Sequence, residues 1–209
     1  MKIRLTIIFL WLSALIHAQV MGSFTDPRDK QVYKTVSYED PLLGDKFTVM
    51  AENLNYDMQG AYVYDNNNKY RKQLGLLYTF NAAINACPPN WHLPSIDEWN
   101  RLRDLIEVIS SEAGEEFVAF AMKSIKGWGA DGNGSNSSGF NALPAGELSF
   151  SSFNGLGVYT VWWSSTFLDE AHDFNQVAYE TTVLHKFRNL YEYWAKPLYK
   201  ILSCRCFKD

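Results

Sequence analysis

The stretch "ACPPNWHLPSIDEWNRL", Ala86 to Leu102, decides how the middle of this chain folds. Near its start two consecutive prolines, which cannot continue a helix, end one helical segment. Ser95 and Glu98, three residues apart, form a capping box in which each side chain accepts a hydrogen bond from the other residue's backbone amide. Apolar residues then recur at helical spacing, which predicts a long helix with one buried face: Ile96, Trp99, Leu102, Leu105, Ile106 and Ile109.

The same stretch contains a histidine and two carboxylates, so a metal or catalytic site is the alternative interpretation. Asp97 is favoured by the positive end of the helix and Glu98 by the cap, which gives both acids a structural role. His92 would need further ligands at suitable spacing, and His172 and His185 form no recognisable motif with it. We therefore interpret this stretch as scaffold and assign no catalytic residue to it.

The segments on either side of this stretch indicate an order of strands, then helices, then strands. The alternation of apolar and polar residues over 24–56 predicts strands, and the polar run "YDNNNKYRK" at 64–72 predicts a solvated loop. Thr79 is placed to cap a short helix that ends at Cys87. A third helical patch, "GEEFVAFAMKS", follows the long helix, and the chain beyond Gly127 turns to short strand-like runs. This order predicts an α+β domain rather than alternating βαβ units.

The first eighteen residues predict a secretory signal peptide. Lys2 and Arg4 precede the apolar run "LTIIFLWLSALI", and Ala18 is the expected cleavage position. The apolar run is shorter than the ~20 residues that span a bilayer, which disfavours a membrane anchor. We expect residues 19–209 to form a single exported domain. The net charge of −4 disfavours nucleic acid and anionic membranes as partners, because both attract basic surfaces.

The chain has three cysteines, Cys87, Cys204 and Cys206. Export makes a disulfide the expected use of one pair, and the odd number leaves one thiol over. Cys204 and Cys206 are two residues apart, so in a strand they would point to the same face. From the residues alone, Cys87 could pair with either of them.

Motifs spread along the chain carry a family resemblance. They are "MAENLNY" (50–56), "LGLLYTFNAAINACPPNWHLPSIDEWNRL" (74–102), "MKSIKGW" (122–128), "GFNALPAGE" (139–147), "VWWSST" (161–166) and "SCRCFKD" (203–209). In this order they resemble the bacterial family known as the Fibrobacter succinogenes major paralogous domain, over almost all of residues 19–209. Two positions depart from the family pattern: Val49 stands where a tryptophan is usual, and Cys204 replaces an apolar residue.

The resemblance implies export from a bacterium of the Bacteroidetes–Fibrobacter kind and a C-type-lectin-like fold. In that fold helices pack on short, mostly antiparallel strands with long loops, and the last strand returns to pair with the first. Cys206 matches the family's cysteine, so the resemblance implies a Cys87–Cys206 disulfide with Cys204 as a reduced, buried thiol. The run "WHLPSIDEW" is also similar to a segment of the formylglycine-generating family, which we use only as an indication of fold.

We expect a non-catalytic binding or adhesion module, at the cell surface or in the periplasm, that recognises carbohydrate or a surface protein. The glycine-rich loop 127–140 is the candidate contact surface. Trp128 could stack on a sugar, while Asp131, Asn133 and Asn136 could offer oxygen atoms to a sugar or to Ca²⁺. The alternative is a solvated loop with Trp128 buried as a core anchor. Apart from this Ca²⁺, we expect no cofactor.

Two other functions remain as alternatives. The protein could be a structural subunit of a surface assembly such as a fibre or an envelope complex. It could also be an oxidase like the formylglycine-generating enzymes, with Cys204 and Cys206 as thiolate ligands of Cu(I). The sequence leaves the oligomeric state open.

Overall fold

The computed structural model describes residues 19–39, 44, 46–115, 117–129, 131–167, 177–184, 191–197 and 199–209. Within these residues helices and mostly antiparallel sheets are combined, which confirms the α+β prediction. The helices are α1 (Asn68–Leu74), α2 (Phe80–Ala86), α3 (Ile96–Glu112) and α4 (Val118–Met122), and Tyr64–Asn66 form a 3₁₀ turn. The strands are β1 (Val20–Thr25), β2 (Val32–Glu39), β3 (Lys46–Met50), β4 (Ala61–Tyr62), β5 (Leu77–Thr79), β6 (Trp91–His92), β7 (Glu147–Ser149), β8 (Ser152–Asn154), β9 (Tyr159–Phe167), β10 (Val177–Leu184), β11 (Tyr191–Pro197), β12 (Ile201–Ser203) and β13 (Phe207–Lys208).

The strands form two sheets that share the C-terminal segment. One has the order β1-β2-β3-β13-β6, and the other has the order β11-β10-β9-β12-β5-β4 with β7 and β8 attached to β12. Strand β13 lies antiparallel to β3, where Phe207 faces Val49 in the register. The end of the chain therefore returns to the sheet that its beginning forms, and β12, only a few residues earlier, belongs to the other sheet.

Helix α3 forms as its sequence predicts. Ser95 is the N-cap, and both hydrogen bonds of the capping box with Glu98 are present. Trp99 lies fully buried at the centre of the core, where its ring centroid is 4.9 Å from that of Phe207 and 5.7 Å from that of Trp162. The helix therefore packs its apolar face against residues from both sheets.

The prediction of a loop at 64–72 is wrong, because this segment contains the 3₁₀ turn and most of α1, although most of its residues are exposed as predicted. Asn67 caps α1 by accepting a hydrogen bond from the amide of Lys69. The Arg71 guanidinium donates to the Asn55 side chain and pairs with Asp57 at 2.8 Å. These tertiary contacts support a polar segment whose composition alone favours a loop.

A buried arginine, Arg205, binds the backbone at Phe140 and Asn141. Arg205 is fully buried, and its guanidinium donates to the Asn53 side-chain oxygen at 2.9 Å and to the backbone oxygens of Phe140 and Asn141. It also lies 4.2 Å from the Phe140 ring centroid. Burial lowers the pKa of Arg205 to about 9, so the side chain keeps its charge at neutral pH. The carbonyl oxygens and the ring compensate for the hydration that this buried charge has lost.

Candidate functional site

An open groove bordered by aromatic rings lies where β4, the β7–β8 hairpin and the start of β12 meet. Its volume is about 590 Å³, within the range of ~300–1,000 Å³ that is usual for ligand sites. We call it the aromatic groove. The described residues that line it carry no charge: Tyr62, Asn66, Leu148, Phe150, Ser151, Phe153, Tyr199 and Ile201.

The most exposed ring of the groove sits on a backbone that disfavours it. Phe150 and Ser151 are the two central residues of the β7–β8 turn, and their φ angles are 48° and 63°. A two-residue hairpin with positive φ at both positions is the type I′ turn, which prefers Asn-Gly. A bulky residue there is a conformational outlier that costs on the order of 1–3 kcal/mol. Such strain is found most often at ligand-binding and active sites.

Phe150 is 76% exposed, and its ring centroid lies 4.4 Å from that of Tyr199, which is 49% exposed. Large exposed apolar side chains that cluster in this way mark interaction surfaces in soluble proteins. The pair presents aromatic surface beside the hydroxyl of Ser151 and the amide of Asn66. The groove thus combines apolar surface with neutral hydrogen-bonding groups.

A largely buried ion pair joins the hairpin that carries Phe150 to the segment that carries Tyr199. The Lys200 ammonium lies 2.6 Å from both carboxylate oxygens of Glu147, and both side chains are about nine-tenths buried. Glu147 begins β7, and Lys200 directly follows Tyr199. Gly146 precedes Glu147 with φ 63°, and a Cβ atom there would lie 2.1 Å from the backbone oxygen of Asn154. A side chain at that position would therefore displace the hairpin.

The assignment of Trp128 as a sugar-stacking residue is wrong. Trp128 is only 4% exposed and packs in the same core cluster as Trp99. Its indole N–H donates to the Ser124 hydroxyl and to the backbone oxygen of Ala142, at 3.1 and 3.0 Å. The alternative interpretation of Trp128 as a core anchor is therefore the one that the structure supports.

The polar residues of loop 127–140 organise the loop itself. The Asn133 side-chain oxygen accepts from the amide of Trp128, and the Asn136 oxygen accepts from the amide of Asn141. Asp131 is exposed, with φ 58°. Among the described residues no group of three or more histidine, cysteine or acidic side chains converges in this loop. The candidate Ca²⁺ site therefore has one carboxylate and two amide oxygens that already accept hydrogen bonds.

The cysteines adopt the pairing that the family resemblance implies. Cys87 and Cys206 form a disulfide with a Cα–Cα distance of 5.7 Å, and Cys204 is a free, buried thiol. The three sulfur atoms lie within 4.8 Å of one another. Burial raises the pKa of Cys204 to about 12, which keeps the thiol protonated. A Cu(I) site with Cys204 and Cys206 as ligands would need two free thiolates, and in this structure Cys206 is already bonded to Cys87.

His92 lies between two carboxylates at the N-terminus of α3. One ring nitrogen is 2.5 Å from Asp209 and the other is 2.6 Å from Glu98. Burial opposes ionisation of His92, but the hydrogen bonds to Asp209 and Glu98 outweigh it and raise its pKa. The sequence reveals the capping role of Glu98, but it does not reveal Asp209, which β13 brings beside β6. These contacts agree with the interpretation of this stretch as scaffold.

Some predictions concern residues outside the described part of the chain. The signal peptide at 1–18 and the histidines His172 and His185 fall there. None of the helices in the described ranges is long and apolar enough to cross a bilayer.

Comparison with known proteins gives one match. The family model described as the Fibrobacter succinogenes major domain matches residues 33–208. These residues include β2 except for its first residue, every element from β3 to β13, the disulfide and the whole aromatic groove. No curated protein and no solved structure matches the chain.

Proposed function

We propose that this chain, which belongs to the Fibrobacter succinogenes major domain family, is an exported, non-catalytic module that binds carbohydrate through its aromatic groove. The observation that carries the proposal is the pair of exposed rings, Phe150 and Tyr199, at the mouth of that groove. The flat faces of aromatic rings suit the apolar faces of sugars, and hydroxyl and amide groups suit sugar hydroxyls. The absence of charge among the described lining residues favours a neutral sugar unit over a charged peptide.

Two features support a C-type-lectin-like fold as part of this proposal. The last strand, β13, lies beside β3, so the two ends of the domain share one sheet. The Cys87–Cys206 disulfide ties the end of α2 to the final segment. With the predicted signal peptide, these features fit a binding module at the cell surface or in the periplasm.

Glycan binding to wild-type protein and to Phe150→Ala tests the proposal. Burying a phenylalanine side chain is worth about 1.5–3 kcal/mol, so its removal should weaken binding by about tenfold to a hundredfold. The matched control is Ile84→Ala, because Ile84 is 46% exposed on α2 and does not line the groove. If a glycan binds and Phe150→Ala leaves its affinity unchanged, the groove is not the site.

A structural subunit of a surface assembly is the second candidate, and one observation favours it. Among the described strands β1 pairs only with β2, so its other edge is open. Val20, Met21 and Val32 in these two strands are each more than half exposed. Open apolar edges favour pairing with another chain. Light scattering over a concentration series separates the candidates, because an assembly subunit should self-associate and Met21→Lys should prevent this.

A further inference from the structure

A second groove lies beside the aromatic groove and has a different character. Its volume is about 540 Å³, and it lies between α1, the segment around Gly127 and the loop before β9. We call it the lysine groove. Its lining includes one cationic side chain, one amide and one phenol among apolar groups: Tyr70, Gln73, Lys126, Pro144 and Leu156.

The two grooves share an aromatic wall. The ring of Tyr64 is buried, and its centroid is 5.6 Å from that of Tyr70 and 4.9 Å from that of Phe153. Tyr70 lines the lysine groove and Phe153 lines the aromatic groove. Three rings in contact therefore separate the grooves, and Leu148, Leu156 and Ile201 belong to the same cluster.

Lys126 supplies the only charge among the described residues that line either groove. Its side chain is exposed, and no described carboxylate lies within ion-pair distance of it. The Ser124 hydroxyl donates to its backbone oxygen at 2.8 Å, which fixes the turn that carries it. A cation in this position complements an anionic group on a bound molecule.

We infer that the two grooves form one extended site for a linear oligosaccharide that carries a carboxylate on one sugar unit. A neutral unit stacks on Phe150 and Tyr199, and the acidic unit lies in the lysine groove with its carboxylate at Lys126. For this second unit Tyr70 provides an aromatic ring to stack on, and the side-chain amide of Gln73 provides hydrogen bonds. The inference rests on the proposed function, because it assigns the acidic unit to the same ligand that fills the aromatic groove.

The test is an array of oligosaccharides of increasing length, each in a neutral form and in a form oxidised at C6 to the carboxylate. Long acidic chains should bind best, and Lys126→Gln should weaken them about two- to fivefold, the usual worth of an exposed ion pair. Lys72→Gln is the matched control, because Lys72 is exposed on α1 and lines neither groove. The acidic preference should also fade in about 1 M salt, where the screening length falls to about 3 Å.

The outcomes separate this inference from the proposed function. If neutral and acidic chains bind equally and depend on Phe150, the aromatic groove is a sugar site and the lysine groove takes no acidic unit. If Tyr70→Leu weakens the binding of short and long chains equally, or weakens the binding of neither, the two grooves do not form one extended site. If no chain on the array binds, both proposals are overturned. Loss of the acidic preference in Lys126→Gln, with neutral binding retained, supports the inference.

Discussion

Removing the Cys87–Cys206 disulfide should cost this protein a large part of its stability. The two cysteines are separated by 119 residues, more than half of the chain. In the chain-entropy model a loop of this size removes about 16 cal/mol/K from the unfolded state, or about 5 kcal/mol at 25 °C. The free energy of unfolding of a domain is about 5–15 kcal/mol in total. We therefore expect Cys87→Ala/Cys206→Ala to be only marginally stable in the absence of ligand.

The native contacts around Cys87 should survive this change. The Arg28 guanidinium donates to the backbone oxygens of Ala86 and Cys87, at 2.9 and 3.2 Å, and pairs with the buried Asp26. These bonds hold the end of α2 independently of the sulfur atoms. The disulfide therefore acts mainly on the unfolded chain, and its removal should raise the denaturant dependence of unfolding because that chain becomes more expanded.

Urea unfolding followed by tryptophan fluorescence measures both the free energy of unfolding and its dependence on denaturant concentration. The control is Cys204→Ala with the disulfide intact, which separates the loss of a buried thiol from the loss of the crosslink. Thiol–disulfide exchange is possible between sulfur atoms this close. Peptide mapping of the wild-type protein after acid quenching therefore checks that Cys87 is bonded to Cys206 and not to Cys204. A loss of less than about 1 kcal/mol in the double variant, with the denaturant slope unchanged, would refute the entropic account.

Four further predictions follow from individual contacts. Ser95→Ala or Glu98→Ala should lower the free energy of unfolding by about 0.5–2 kcal/mol. Glu98→Gln keeps the capping box and should lower it less. Chemical denaturation of the three variants measures these free energies. The pKa of His92 in the folded protein is raised above 6.5. Its ion pairs therefore stabilise the fold fully below pH 6.5, and this stabilisation is lost as the pH rises through the folded pKa. We expect His92→Gln to lower the free energy of unfolding more at pH 6 than at pH 9. Addition of a chelator should leave the melting temperature unchanged. A decrease in the melting temperature that excess Ca²⁺ reverses would show instead that loop 127–140 binds the cation. Phe150→Asn/Ser151→Gly should raise stability by about 1 kcal/mol, because strain relief exceeds the lost ring contact, and should weaken glycan binding about as much as Phe150→Ala does.

Local signals in the sequence predict α3 correctly and fail for α1. The cap of α3 and its buried apolar face are encoded in the contiguous run from Ser95 to Ile109, so the capping box and the helical spacing identify them locally. Helix α1 has only seven residues and depends on the contacts of Arg71 with Asn55 and Asp57. Those partners lie sixteen and fourteen residues away along the chain, respectively. A polar composition does not reveal such contacts.

The candidate site is harder to predict than the fold, because its rings come from distant segments. Tyr62, Phe150 and Tyr199 belong to three different parts of the chain, and only the placement of β12 between β5 and β7 brings them together. A tryptophan in a glycine-rich loop is equally compatible with a contact surface and a core anchor, which explains the wrong assignment of Trp128. The one local signal for the aromatic groove is the sequence Phe-Ser between two short strands, where a tight hairpin normally needs Asn-Gly.

The strained β7–β8 turn also bears on how the exposed ring of Phe150 is held in place. A strained turn persists only when the surrounding structure holds it, and three contacts do so here. The Lys200–Glu147 pair joins the base of the hairpin to the segment before β12, strand β12 pairs with Leu148 in β7, and the backbone at Gly146 lies so close to Asn154 that a Cβ atom there would clash. Phe150 and Tyr199 are thus held in contact before any ligand arrives. The sugar that we propose as ligand would then lose less of its binding energy in ordering the site, which is the advantage that preorganisation gives a shallow groove.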